Sequence, residues 1–201
     1  MLSNHYYEGL IEAGVDEAGR GCLAGPVYAA AVILPDGYQH PQLNDSKQLT
    51  DRQRRQLRQV IERDAVAWAV GVCSPQEIDQ LNILNASILA MHRALEGLKD
   101  IEPQAVIVDG NRFKPWRNKP YTTIVKGDGK QMAIAAASIL AKTYRDDCMI
   151  ALAEQFPQYQ WQQNKGYPTL AHRQAIRQYG LTEHHRRSFT QLPPEQLEIP
   201  F

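Results

Sequence analysis

An α/β fold, helices flanking a sheet, is predicted for this 201-residue chain by three observations. Short apolar runs rich in β-formers alternate with stretches in which apolar residues recur every three or four positions, the pattern of strands punctuated by helices. Three of those runs lead into acid-bearing loops, Asp16-Glu17-Ala18-Gly19, Asp109-Gly110 and Gly127-Asp128-Gly129. Hydrophobic residues make up 43% of the chain, enough for one substantial core, and no repeat or linker interrupts it, so a single domain over 1–201 is expected.

Two apolar runs open the chain, Leu10 to Val15 and Val27 to Leu34, and each reads as a buried strand, the second stopped by Pro35-Asp36-Gly37. Thr50 precedes a polar stretch with Leu57, Val60 and Ile61 at helical spacing, whose Arg52, Arg54, Arg55 and Arg58 are expected on the wet face. The run Ala65 to Val72 is the next strand. Ser74-Pro75-Gln76-Glu77 has the form of a capping box with proline at the first helical position, so a short helix starts there. Leu84, Ile88, Met91 and Leu95 mark an amphipathic helix over 82–98.

Ala105 to Val108 is a compact strand that delivers Asp109, and Tyr121 to Val125 is a further strand leading to Lys126-Gly127-Asp128-Gly129. From Met132 a run of small, helix-forming residues continues until Phe156-Pro157 and is suited to close packing on a sheet. A last helix over 170–179 is stopped by Gly180 and followed by His184-His185-Arg186-Arg187 and a Pro193-Pro194 tail.

Lysine plus arginine (22) balances aspartate plus glutamate (22), so a polyanionic partner must be held by a local patch rather than by a global field. Such a patch is available: residues 110–149 carry eight basic side chains against three acids, whereas residues 1–109 carry nine against fifteen. Three scattered cysteines without a CxxC pair argue against a disulfide framework and a zinc site, and a reducing cytoplasm is the expected home. No secretory leader and no membrane-spanning run is recognisable.

Asp16, Glu17, Asp109 and Asp128 all sit at strand ends, where open α/β sheets gather their chemistry. Four acids without histidine or thiolate partners suit a hard cation, Mg²⁺ or Mn²⁺, and such ions take phosphate oxygens as further ligands. Two ions roughly 3.5–4 Å apart would clamp the attacking and leaving oxygens of a phosphodiester displacement. The alternative is a set of separate turn acids, since Asp-Gly after a strand is common. Gly19-Arg20-Gly21 allows close backbone approach to a sugar or phosphate, and Tyr167 between Gly166 and Pro168 is either an exposed stacking platform or a cover for the core edge. Asn44-Asp45-Ser46-Lys47 reads as a polar cap or a phosphate contact, and His184 to Arg187 as a phosphate-facing patch rather than a zinc site.

Taken together, Gly14-Val15-Asp16-Glu17-Ala18-Gly19-Arg20-Gly21, Leu43-Asn44-Asp45-Ser46-Lys47-Gln48-Leu49, Val108-Asp109-Gly110-Asn111, Lys126-Gly127-Asp128, Ala135 to Lys142 and Lys165-Gly166-Tyr167-Pro168-Thr169 resemble the blocks of the bacterial ribonuclease HII family, in order and approximate spacing, over about 11–189. The resemblance implies an RNase H-like fold: a central mixed five-stranded sheet flanked by helices, with a helical C-terminal extension over about 160–201. It implies an endonuclease that cuts the RNA strand of RNA–DNA hybrids, and cuts 5′ of single ribonucleotides in duplex DNA, leaving 3′-hydroxyl and 5′-phosphate.

By matching position it further implies Asp16, Glu17, Asp109 and Asp128 as catalytic ligands of two Mn²⁺ or Mg²⁺ ions. Gly19, Arg20 and Gly21 would read the ribose 2′-hydroxyl, Tyr167 would stack on the adjoining deoxyribose, and Asn44, Ser46, Lys47, Arg187 and Ser188 would hold the substrate. Cys22 departs from the proline that many relatives carry after Gly-Arg-Gly, which bears on the stiffness of that loop. The expected enzyme is a monomer without membrane contact. Its rivals are a non-catalytic nucleic-acid-binding relative and an RNase H-like nuclease acting on DNA; the latter has no need of a 2′-hydroxyl reader.

Overall fold

The computed structural model describes residues 2–43, 49–99 and 101–193, so Asn44, Ser46 and Lys47 lie outside the described residues. Five strands, β1 (Glu12–Ala18), β2 (Val27–Ile33), β3 (Ala67–Cys73), β4 (Ala105–Asp109) and β5 (Tyr121–Ile124), form one sheet in the order β3-β2-β1-β4-β5. β2 lies antiparallel to both β1 and β3, whereas β4 lies parallel to both β1 and β5. The sheet therefore changes character at β1, and the crevice beyond the carboxyl ends of β1 and β4 is a topological switch point.

β1 begins and ends later than the hydrophobic pattern predicts. Leu10 and Ile11 lie outside it and are exposed, while its ladder with β2 runs on through Ala18 opposite Tyr28. Asp16 and Glu17 are thus strand residues, opposite Ala30 and Ala29, and not members of the loop beyond. Backbone pairing is indifferent to side-chain type, so the ladder carries two acids past the last apolar position.

Helices α1 (Asp51–Asp64), α2 (Pro75–Leu81) and α3 (Ile83–Glu96) are followed by α4 (Met132–Gln155), a single turn α5 (Trp161–Asn164) that the periodicity does not reveal, and α6 (Leu170–Tyr179). Thr50 with Gln53 and Ser74 with Glu77 form capping boxes at α1 and α2. α3 covers one face of the sheet, packing Ala90, Met91 and Leu95 against Val15, Val27 and Ala29. α4 and α1 cover the other, where Ile134, Ala137, Leu57 and Ile61 meet Ala30, Val32 and Ile107. A third cluster joins Tyr159, Trp161 and Ile176 of the C-terminal segment to Met149 of α4 and to Leu23 and Ala24, in the loop after β1.

α4 lies close over β1 because Gly14 has no side chain: a Cβ there would sit 2.3 Å from the Ala133 carbonyl carbon and 2.5 Å from the Ile134 nitrogen. Three of the four α1 arginines depart from the expected wet face. Arg55 and Arg58 each reach Asp147 of α4 at 2.7 Å, and the Arg58 guanidinium lies 3.6 Å from the Tyr144 ring centre. Arg54 turns toward the cleft at the end of β1, its guanidinium donating to the Leu49 carbonyl. The stems of such side chains cover apolar surface while their heads find partners.

One ion pair makes a pH signature. The Arg93 guanidinium donates to both carboxylate oxygens of Glu77, at 2.6 and 3.1 Å, and to the Val72 carbonyl at 2.6 Å, tying α2 and α3 to β3. The Arg93 hydrogen bonds, with the Ser74 amide, hold the Glu77 carboxyl down at about 2 against an ordinary 4.5. A depressed acid contributes stability that is complete above its unfolded value and disappears as pH falls through the folded one. Glu77→Gln is therefore expected to be less stable than the parent at neutral pH, with the difference shrinking between about pH 4.5 and about pH 2. Urea unfolding of both proteins across that range measures it, and a difference that does not change with pH would refute the assignment.

Candidate active site

Asp16 lies on the face of β1 turned toward α4, two residues before the strand ends, and Asp109 is the last residue of β4. The parallel register pairs Val15 with Val108, and its continuation by one residue sets Asp16 alongside Asp109. The two acids, with Glu17, Ala18, Gly19, Arg20, Gly21, Arg54, Ser138, Lys142 and Tyr167, line one cleft of about 320 Å³. A larger groove at the opposite end of β1, between Leu10, Leu34 and Val66, contains none of the predicted site residues.

The cleft is built to hold negative charge at a cost. Burial raises the Asp16 carboxyl well above the usual carboxylate range, and the charges of Glu17 and Asp109 push it further; a Ser138 hydrogen bond and the Glu17 amide, at 2.6 Å, oppose this only in part. Burial also raises Glu17, against the pull of Arg20, which donates to it at 3.1 Å. Asp109 accepts the Gly127 amide at 2.6 Å, and this bond presses the turn after β5 against the strand end. Lys142 lines the same cleft and is held by Asp146 at 2.7 Å.

An oxygen-only donor set whose members repel one another is what a hard divalent cation relieves, so the donor chemistry fits Mg²⁺ or Mn²⁺. Among the described residues, no three His, Cys, Asp or Glu side chains converge tightly enough to form a ready-made ion site. Asp128 is buried in the short turn Gly127–Gly129 and does not line the cleft, so the described side chains bring together three of the four predicted acids.

The loop after β1 turns sharply between Gly19 and Cys22, whose amide donates to the Gly19 carbonyl at 3.4 Å, a bond that a proline at this position could not make. Cys22 is fully buried, and burial pushes its thiol up from the ordinary value, with the Arg145 and Arg186 charges and the Tyr167 hydroxyl opposing. Tyr167, 41% exposed, lines the cleft. Its carbonyl accepts from the Thr169 amide at 2.8 Å and faces His172 Nδ1 at 2.9 Å, while Trp161 Nε1 donates to His172 Nε2 at 3.0 Å.

Within the expected phosphate-facing patch of 184–187, His185 and Arg186 are turned inward. His185 is buried against Tyr159, Trp161 and His172, and burial lowers its imidazole to about 4, so it is neutral at physiological pH. Arg186 is fully buried. Arg187 and Ser188 are exposed and outside the cleft, their amides both donating to Asp79 at 2.9 Å. Sequence reasoning leaves out Arg54 as a site residue, places Arg186 only in the patch of 184–187, and names Ser138, Lys142 and Arg145 only as parts of motifs or charge counts. Their contacts come from α1, α4 and the C-terminal segment, and arginine in a sequence carries no mark of burial.

A mixed sheet in this order, with carboxylates side by side at the switch point and a helix-rich segment closing over them, defines an RNase H-like fold. The chain matches the family model Ribonuclease HII over residues 13–192. It is 61% identical over 201 residues to the ribonuclease HII of Parabacteroides distasonis, covering all of both chains. Among solved structures it is similar to ribonuclease H2 from Pyrococcus horikoshii OT3, with a TM-score of 0.76 and 27% identity over 90% of this chain and 94% of that one. The fold alone is shared with Bst-RNase HIII in complex with Mn²⁺, with a TM-score of 0.71 at 18% identity over 90% and 67% of the two chains. The chain belongs to the ribonuclease HII family: it is a hydrolase that acts on RNA–DNA hybrids.

Proposed function

We propose that the cleft at the end of β1 and β4 cuts immediately 5′ of a ribonucleotide, including a single one embedded in duplex DNA, and leaves 3′-hydroxyl and 5′-phosphate ends. The observation that carries this reading is the presence in one cleft of Asp16, Glu17 and Asp109 together with the Gly19-Arg20-Gly21 loop and Tyr167. Asp16, Glu17 and Asp109 hold divalent ions, Mn²⁺ or Mg²⁺ and two with substrate bound, and Asp128 joins them from the turn that Asp109 anchors. Bound there, the ions supply charge neutralisation at the phosphate and a water nucleophile at neutral pH.

The chain's own residues do the rest. The trans peptide units of the loop offer the Arg20 and Gly21 amides to a ribose oxygen, Arg20 stays within reach of Glu17, and Tyr167 stacks on the deoxyribose that follows. Lys142 and Arg54, with Asn44, Ser46 and Lys47, hold phosphates; Arg187 takes one farther along the duplex, where Ser188 fixes its turn on Asp79. No described helix is long and apolar enough to cross a membrane, and a monomer acting in the cytoplasm completes this reading.

The test is cleavage-site mapping with Mn²⁺ or Mg²⁺ on three duplexes that carry a ribonucleotide run, one ribonucleotide or none. Cutting 5′ of the lone ribonucleotide and none of the all-DNA duplex is expected. Equal cutting of the all-DNA duplex would overturn the reading.

A further inference from the structure

Two arginines that the proposed chemistry leaves unused lie beneath the loop, and both are almost completely buried. Arg186 donates from Nε to the Gly25 carbonyl at 2.9 Å and from its terminal nitrogens to the Gly19, Arg20 and Pro26 carbonyls, at 2.7, 2.9 and 3.3 Å. Arg145, on α4, donates to the carbonyls of Pro26 (3.2 Å), Ala24 (3.2 Å) and Lys165 (2.9 Å). It fills the space that a side chain at Gly19 would need, since a Cβ there would meet Arg145 Nε at 2.0 Å, and its guanidinium lies 5.9 Å from the Tyr167 ring centre. Neither makes an ion pair within 4.0 Å among the described residues. All their recorded hydrogen bonds go to main-chain carbonyls of the loop after β1 and of Lys165.

That choice of partners sets the direction of the loop's amides. In a trans peptide the C=O and N–H of one unit point opposite ways, and the chain has no cis bond. Drawing the Gly19 and Arg20 carbonyls inward to Arg186 therefore turns the Arg20 and Gly21 amides outward. Neither amide has a recorded acceptor among the described residues. A planar guanidinium with five donors can hold four carbonyls in one plane, which a lysine ammonium cannot. Three main-chain bonds close the arrangement: Leu23 amide to Gly166 carbonyl, Gly25 amide to His184 carbonyl and Arg186 amide to Leu23 carbonyl, each 2.8 Å.

We infer that Arg186 and Arg145 are positioning residues for ribose discrimination: they hold the Gly19-Arg20-Gly21 carbonyls inward so that its amides, and Tyr167 beside them, face a ribose 2′-hydroxyl. This rests on the proposed role of that loop as the ribose reader. The two arginines touch no substrate. Their removal should blunt the preference for a ribonucleotide and leave the sequence-independent affinity for duplex DNA in place, since that affinity comes from phosphate contacts elsewhere.

The experiment compares wild type, Arg186→Lys and Arg145→Lys, each keeping its positive charge but losing the planar fork. Binding of a duplex with one ribonucleotide and of the same all-DNA duplex is followed by fluorescence anisotropy in EDTA. Wild type should prefer the ribonucleotide duplex by about tenfold, the effect of about one hydrogen bond to a desolvated group. Each variant should fall to about threefold or less, with all-DNA affinity within about twofold of wild type.

A purely structural role would lower both affinities together or neither, and an unchanged ratio in a folded variant overturns the inference. If the variants lose their thermal transition, amide exchange in wild type decides. Rapid exchange at Arg20 and Gly21, slowed only by the ribonucleotide duplex, supports the arrangement, and protection in the free protein overturns it. Equal wild-type binding of the two duplexes would refute the ribose-reader reading itself, an outcome distinct from failure of the arginine role.

Discussion

Asp16→Asn is expected to reduce cleavage by about 10³-fold, the scale on which a preorganised charged group contributes to a transition state, and at the same time to raise the melting temperature. The second half of this result comes from the burial of Asp16 beside Glu17 and Asp109, which raises its carboxyl well above the ordinary range. An acid whose folded value is raised holds its proton longer in the fold than in the unfolded chain. Its ionisation therefore burdens the fold, not at all below the ordinary carboxylate range, increasingly as pH rises through the folded value, and by a constant amount above it.

Asparagine has no charge to lose, and it keeps a partner for Ser138. The variant should match the parent in acid and exceed it in melting temperature at neutral pH. Mn²⁺ should raise the melting temperature of the parent, and do so more as pH rises and protons cease to compete, with little effect on the variant. A variant less stable than the parent at neutral pH in EDTA would sink this account of the cleft.

Gly14→Ala should be the most damaging small substitution in the sheet. A methyl group 2.3 Å from the Ala133 carbonyl carbon cannot be absorbed by a rotamer change, because the obstacle is helix backbone. Either α4 lifts from β1 or the strand shifts, and overpacking of this kind costs about 1–3 kcal/mol, lowering the melting temperature by up to about 12 °C. The displacement would also reach the chemistry, since Ser138 lies about one turn along α4 from Ala133 and bonds Asp16, two residues along β1 from Gly14. Differential scanning calorimetry with a cleavage assay on one preparation checks both effects. A melting temperature within about 2 °C of the parent would show that α4 yields more easily than the packing implies.

How much of this could be read in the chain depends on whether a feature is local. Capping boxes at Thr50 and Ser74, the apolar period of α3 and the small-residue run of α4 are local, and the helices they predict are present. The end of β1 is not local: its ladder with β2 decides that Asp16 and Glu17 belong to the strand. The acids were visible as acids at strand ends, with Gly19-Arg20-Gly21 and Tyr167 as site candidates, but the arginines that surround them were not. Nothing in the spelling of Arg54, Arg145 or Arg186 distinguishes a guanidinium in water from one turned into a cleft or buried under a loop. The latter two are in place because carbonyls more than a hundred residues earlier in the chain needed donors. Asp128, read from sequence as an acid on a glycine-flanked loop, is buried in a turn beside the cleft, a placement that only the fold could give.

The loop after β1 also has a history in time. Synthesis runs from the N-terminus, so Asp16, Glu17 and Asp109 have all been added by residue 109, and α4 by residue 155. The donor that draws in the Gly19 and Arg20 carbonyls is residue 186. A nascent chain therefore carries all four acids before the loop beside the first two has its donor. The acids proposed to hold the ions are translated before the donor proposed to set what they cut.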